Sequence, residues 1–505
     1  MKLAPFSGLT TAPSLPMSPA AAMVHAPLSA AAATAARTAT PVVRVAADPT
    51  RTPVPLSYDF DLKLDTAARS LSGRGTITVR NDSTEPLTEV YLRLWGNTPS
   101  LTRDGGATTL SNVSVAGAAA TASVDKTVAK VALATALAPG ESTTISFDTT
   151  MTVPSRMGRT GTGRDGTLFF GNMLPVLAVK DDEGWNLDPY VVMGESFYNL
   201  ASDWKVKLTT ATDQQLITTG SAGAATTNAA TGMQTIEFNA PHVRDFIVVA
   251  PKDYAQVSAV VDGVTVRSWA PKGDTKTAQS ALKTATESLK FYSDRYGKYG
   301  SSEYDVVATK ELGGGMEYPG VTLNDMGGFQ SREVVAHETG HQWFYSMVGN
   351  NEFDDPWLDE SFTSFITSEF LHQSVNQTAD NLRPAFNERA ANLGRPAPIV
   401  ETTTRDDVHV SSPMNVLVQH DYFGVIYRDG ANVLANLKKQ LGEDTFVKGM
   451  RSHLEANRDG VATTGGFIKT MSAAAGSDLT KWFEAQRVFA SEPAANVHLD
   501  PNGTL

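Results

Sequence analysis

The sequence predicts an α+β chain of several domains, with an antiparallel β saddle or sandwich first and a mostly helical domain after it. Two observations carry this. From about Leu56 the apolar residues alternate with polar ones at strand period, and beyond about Pro271 they recur at helical period. The 505 residues, 41% hydrophobic, suffice for two or three cores.

Residues 1–52 are rich in Ala, Thr and Pro and read as a leader or a signal and linker. Lys2 gives a weak positive start, and small residues suited to cleavage follow, but Pro16, Pro19, His25 and Pro27 interrupt the apolar stretch. The expectation is a secreted or cell-envelope protein, with a cytoplasmic chain carrying an unstructured tail as the alternative.

Residues 53–255 form the β domain. Leu56, Tyr58, Phe60, Leu62 and Leu64 alternate, as do Ile77 with Val79, and Val90, Leu92 and Leu94. Thr143 to Val153 and Trp204 to Thr210 continue the pattern, with Gly, Asp and Asn at the turns between. Ala116 to Ala138 reads as strand and turn of low complexity. Residues 256–505 form the second domain. Asp274 is placed to cap a helix carrying Ala278, Ala281, Leu282, Ala285, Leu289 and Tyr292, which Gly297 and Gly300 end. Ala431 to Leu441 and Gly465 to Ala475 are further helices.

Composition narrows the chemistry. The net charge of −12 and the absence of a Lys/Arg run give no footprint for nucleic acid or an anionic membrane. No stretch of about 18 apolar residues predicts a membrane span. Cysteine is absent, so a disulfide framework and a Cys nucleophile are excluded, and any metal is held by His and carboxylate.

His337-Glu338-Thr339-Gly340-His341 supplies such a set. A helix turns about 100° per residue, so His337 and His341 share a face and both reach one zinc ion at about 2.0–2.1 Å. Arg332 to Val348 is helix-compatible except at Gly340. Glu338 is rotated away from that face, yet reaches a zinc-bound water as a base. A catalytic zinc needs a third ligand and an open position. Eighteen residues after His341 comes Glu360, on a second predicted helix from Trp357 with Phe362, Phe365, Ile366 and Phe370 buried. Phe344 and Met347 stand where an extended Gly and His motif would be needed, which excludes the metzincin pattern. His372, His409, His420 and His453 show no ligand spacing and read as structural or surface residues.

His337-Glu-Thr-Gly-His341-Gln-Trp-Phe, the eighteen-residue gap and Trp357-Leu-Asp-Glu360-Ser-Phe resemble the aminopeptidase N family of gluzincins. Gly314-Gly-Met-Glu-Tyr318 resembles that family's exopeptidase motif, and Tyr427-Arg-Asp-Gly430 its catalytic-tyrosine segment. The resemblance implies a thermolysin-like catalytic domain with one Zn2+ on His337, His341 and Glu360. It makes Glu338 the general base and Tyr427 the donor to the oxyanion. Gly314, Gly315 and Met316 would lie along the substrate, with Glu317 binding its α-ammonium. The implied partners are peptides with a free N-terminus.

The chain departs from the family pattern at Tyr318, where the family has Asn, and at Asp429, where it has Lys. The second acidic or amide residue that the family draws from its N-terminal domain has no clear match; Asn172 lies in about the right region. Only 78 residues follow Tyr427 in the chain of 505. This suggests a short form without the helical superhelix domain, and a more open cleft. Two alternatives stand beside the aminopeptidase: a zinc metalloendopeptidase or hydrolase of another bond, and a non-catalytic binding protein with a vestigial zinc site.

Overall fold

A computed structural model describes residues 53–181, 184–191, 194–309, 311–325, 331–392, 408–418 and 421–489. The expected leader over 1–52 and His420 lie outside the described residues.

The β region is built on a nine-stranded sheet whose centre is Pro53–Asp65, Ser70–Asn81 and Ser142–Thr152. A four-stranded sheet that includes Leu87–Arg93 and Val128–Leu137 contributes to the same core. Tyr58, Phe60, Leu62 and Leu64 are buried on one face, as the alternation requires. Tyr58 stacks on Trp204 at 4.1 Å between ring centroids. Leu56 departs from the expectation and is 38% exposed. The pairing register slips between Pro55 and Ser57, and the irregularity turns Leu56 to the other face. The sheet is also not purely antiparallel. Pro53–Asp65 runs parallel to Ser202–Ala211, which the long intervening chain permits.

A five-stranded sheet follows, in the order Tyr254–Val261, Val264–Pro271, Glu303–Thr309, Val321–Asp325, Gly315–Met316. Val264–Pro271 and Glu303–Thr309 are parallel, joined through the helix Thr275–Tyr296. Asp274 sits at the start of that helix, but its carboxylate accepts from the Thr277 hydroxyl rather than capping the backbone. Gly297 ends the helix at φ +124°. The short strand Gly315–Met316 lies at the sheet edge, antiparallel to its neighbour.

Helices Ser331–Gly340, Trp357–Leu371, Val375–Asn392, Ala431–Leu441, Glu443–Ala456 and Thr464–Ala475 pack beside this sheet. The first stops at Gly340, short of the expected Val348. Tyr345 adopts φ +109°, which breaks the helical path. Tyr292 donates to the Ala336 carbonyl at 3.1 Å, tying this helix to the crossover helix. From the β region, buried Arg244 donates to the carbonyls of Ser346 at 3.3 Å, Asn199 at 2.9 Å and Gly460 at 2.8 Å.

His453 is buried among these helices against Phe467 and Phe362, at ring distances of 5.0 and 5.9 Å. Burial lowers its pKa from 6.5 to about 4. The folded state therefore takes up a proton later than the unfolded one as pH falls. The neutral ring's contribution is complete above about pH 6.5 and is lost as pH falls through 4. Between pH 7 and pH 4 the native protein is expected to lose about 3 kcal/mol more stability than His453→Leu. Urea unfolding of both proteins at a series of pH values measures this; parallel profiles would contradict it.

Candidate metal centre and cleft

His337 lies on the helix Ser331–Gly340 and His341 one residue past its end. The backbone bond from His341 N to His337 O, 3.2 Å, continues the helical turn and keeps the two rings on one side. Glu360 comes from the first turn of Trp357–Leu371. The two helices meet closely at Gly340. A Cβ there would lie 3.0 Å from Thr363 Cγ2 and 3.1 Å from Ile366 Cδ1.

The donor atoms converge. His337 Nε2 is 3.0 Å from Glu360 Oε2, His341 Nε2 is 3.3 Å from the same oxygen, and the two Nε2 atoms are 3.1 Å apart. Bonds of about 2.0–2.1 Å to a tetrahedral ion place neighbouring donors roughly 3.4 Å apart, so the set fits zinc with little movement. The other side of His341 is fixed. Its Nδ1 lies 2.5 Å from Asp359 Oδ1 and 3.1 Å from Thr363 Oγ1. A carboxylate behind a histidine ligand sets the tautomer that leaves Nε2 free for metal.

The electrostatics suit two of these donors. At His341 burial acts to lower the pKa, but the carboxylates of Asp359, Glu360 and Glu317 raise it well above its ordinary value. Burial lowers the His337 pKa and keeps its imidazole neutral, the ligand form. Burial would raise Glu360, but His341 and His337 beside it outweigh that and hold the carboxyl well below its ordinary range. Glu338 is pushed up to about 8, chiefly by burial, with His341 opposing. Its Oε2 is buried and has no hydrogen-bond partner among the described residues.

Tyr427 stands on a π-helical turn, Gly424–Gly430, a form common at functional sites because it redirects one side chain. Ser361 on the ligand helix donates to the Ile426 carbonyl at 2.7 Å and holds this turn in place. The Tyr427 ring stacks on Phe423 at 4.7 Å, and its hydroxyl donates to Glu360 Oε1. Burial and the Glu360 charge raise the phenol far above its usual pKa, so it stays a donor.

A cleft of about 450 Å³ opens over these groups. Gly313, Gly314, Gly315 and Glu317 form one wall. Gly315 has no alternative: a Cβ would sit 2.1 Å from Glu338 Oε1. Leu382, Ala385, Phe386 and Arg389, all from Val375–Asn392, form another wall. Glu317 is buried with Oε1 unpartnered among the described residues. Desolvation, then the charge of Glu195, raises its pKa well above the carboxylate norm. Gln342, just past the helix Ser331–Gly340, donates to the Glu317 carbonyl at 3.4 Å.

Met316 is placed differently from the sequence expectation. Strand alternation turns its side chain away from the cleft into a core with Val307 and Leu323, 1% exposed. Asn172 does not line the cleft either; its amide donates to Asp245 and its carbonyl oxygen accepts from Tyr318 at 3.0 Å. Tyr318 is fully buried and also donates to the Arg159 carbonyl at 3.1 Å. The carboxylate that the β region does bring to the cleft is Glu195. It is paired with buried Arg159, with an Nη2–Oε1 distance of 2.9 Å, and lies 3.5 Å from Arg389. Neither Glu195 nor its partners sit in a periodic or spaced pattern, so the sequence carried no signal for them. Asp359 had one: an acidic residue beside a ligand glutamate, facing a histidine that needs a second-sphere partner.

The Peptidase family M1 domain profile matches residues 280–485. The chain is 27% identical over 244 residues to the alanine/arginine aminopeptidase of Saccharomyces cerevisiae, covering 43% of this chain and 26% of that one. It is 28% identical over 155 residues to aminopeptidase N of Lactococcus lactis, covering 30% and 18%. It thus spans about a quarter or less of the length of these two curated relatives. In fold it is similar to an M1 zinc metallopeptidase from Deinococcus radiodurans, with a TM-score of 0.59 and 18% identity over 90% of this chain and 97% of that one. A two-domain M1 zinc metallopeptidase bound to L-arginine gives a TM-score of 0.60 and 17% identity over 89% and 96%.

Asp359→Ala is expected to weaken zinc binding about 10–100-fold. Competition with a chelating dye measures it, and an unchanged affinity would show that Asp359 does not support His341.

Proposed function

We propose that this chain, which carries the M1 peptidase domain of the aminopeptidase N family over residues 280–485, is a zinc-dependent aminopeptidase that releases N-terminal residues from peptides. The observation that carries the reading is one cleft holding both the His337, His341 and Glu360 donors and a buried, unpartnered oxygen of Glu317. The names of the relatives point the same way.

Bound at this site, zinc supplies Lewis acidity that polarises a carbonyl and acidifies water. The protein groups do the rest. Glu338 lines the cleft with an unpartnered Oε2, takes the proton of the attacking water, and passes it to the leaving amine. Its burial suits a base that must give the proton back. Tyr427 keeps its phenol proton and donates it in a hydrogen bond to the oxygen that becomes negative. Glu317 receives the substrate's α-ammonium, which brings the positive charge its buried oxygen lacks. That contact measures one residue from the N-terminus and makes the enzyme an exopeptidase. Gly315 lets the substrate backbone lie along the edge strand Gly315–Met316.

Glu338→Gln is expected to bind zinc stoichiometrically, by elemental analysis, and to lose at least about a hundredfold in kcat on an aminoacyl anilide. Full turnover in that variant would refute the assigned base. Glu317→Ala is expected to raise KM for free-amine substrates more than it lowers kcat, and the native enzyme should not cleave N-acetylated peptides. Equal cleavage of acetylated and free peptides would instead identify an endopeptidase.

A further inference from the structure

Glu352 is a buried acid that the mechanism above does not use, on the segment joining the helix Ser331–Gly340 to the helix Trp357–Leu371. Its carboxylate accepts from the backbone N–H of Phe197 at 3.1 Å, and its own N–H donates to the Phe197 carbonyl at 3.3 Å. Among the described residues no cation pairs with it, and that N–H is the only hydrogen-bond partner of its carboxylate. Burying an acid is costly, and an aliphatic side chain fills the same space without that cost. What the carboxyl adds here is its grip on Phe197.

Phe197 lies two residues after Glu195, the acid that the β region brings to the cleft. Residues 194–200 belong to no helix or strand, so no regular bonding pattern fixes their path. Side chains fix it instead. Arg159 holds the Gly194 carbonyl at 3.3 Å and the Glu195 carboxylate, and its guanidinium lies over the Phe197 ring at 4.9 Å. Arg244 holds the Asn199 carbonyl at 2.9 Å. Both arginines come from the β region itself. Glu352 grips the same loop from the segment between His341 and Glu360. The charge of Glu195 is felt at Glu317, whose pKa it helps burial to raise. A displaced loop therefore changes the field at the residue that receives the substrate's ammonium.

We propose that Glu352 is a positioning residue: it sets where Glu195 stands in the cleft, and through Glu195 how tightly the cleft holds a substrate with a free amine. The proposal rests on the aminopeptidase reading. It adds that the segment between the metal donors also places an acid from the β region.

Glu352→Leu keeps the volume and removes the acceptor, whereas Glu352→Gln keeps an acceptor for Phe197. Burial, then the charge of Asp359, already raises the Glu352 pKa well above the carboxylate norm, so the neutral amide is a close mimic. On an alanine anilide, Glu352→Leu is expected to raise KM about tenfold, with kcat within about twofold of native and zinc content unchanged, while Glu352→Gln stays near native. Glu195→Gln supplies the reference, and adding Glu352→Leu to it should raise KM no further. An unchanged KM in Glu352→Leu, equal impairment of Glu352→Gln, or an effect that adds in full to Glu195→Gln overturns the proposal. Should the leucine variant fail to fold, Glu352→Asp, whose acceptor is withdrawn by one carbon, is judged by the same outcomes. Hydrogen exchange of the peptide spanning residues 194–200 needs no turnover. It is expected to accelerate in Glu352→Leu but not in Glu352→Gln, with residues 357–371 equally protected in both; unchanged exchange at 194–200 in the leucine variant also overturns the proposal. A native enzyme that leaves the anilide intact would refute the aminopeptidase reading, while the exchange still decides whether Glu352 holds the loop.

Discussion

The helix carrying His337 and the helix carrying Glu360 touch at Gly340, where even a methyl group would press on Thr363 and Ile366. That approach lets three donor atoms from two elements meet within 3.0 to 3.3 Å. It also brings Asp359 and Thr363, one before and three after Glu360, against the far side of His341. One helix thus supplies one candidate donor and the groups that orient another. Ser361 of the same helix fixes the π-helical turn that aims Tyr427. Three features of the site, a donor, the groups behind His341 and the turn that carries Tyr427, therefore depend on this one approach between helices.

The site gathers Glu195, Glu317, Glu338, Asp359 and Glu360 in or beside one buried cleft, with Arg159 and Arg389 as the nearby cations. Burying like charges is costly unless positive charge arrives. The raised pKa values of Glu317 and Glu338 register that cost. Positive charge brought into the cleft would relieve it. Arg159 has a different task. Held through its carbonyl by Tyr318 and through its guanidinium by Glu195, it keeps one carboxylate neutralised and leaves Glu317 the unpaired acid of that wall.

What could be read in the sequence follows the range of the interactions. His337, Glu338 and His341 lie within one helical turn, and Glu360 follows on the next helix, so local spacing carries the ligand set. Glu195, Arg159 and Arg389 come together across 230 residues of chain, and no local pattern reports that. The strand Glu303–Thr309 leaves no sequence signal for another reason. It is buried along almost its whole length between neighbouring strands, so its residues show no alternation. Leu56 and Met316 mark the opposite limit, where the strand period was right but a register slip or the choice of face set the outcome. The helix ends at Gly340, the one position in the stretch unsuited to helix, and Tyr345 at φ +109° keeps it from continuing to Val348.

The five-stranded sheet beneath the site has its first two strands at Tyr254–Val261 and Val264–Pro271, before the M1-matched stretch begins at residue 280. Arg244, earlier still, holds the carbonyl of Ser346 just beyond the ligand His341. A boundary drawn where similarity starts would cut this sheet along its length and expose the side of Glu303–Thr309 that now pairs with Val264–Pro271. The profile match and the mechanical unit thus end at different places in this chain. The β-rich half is part of the scaffold that the matched half stands on, through those shared backbone contacts.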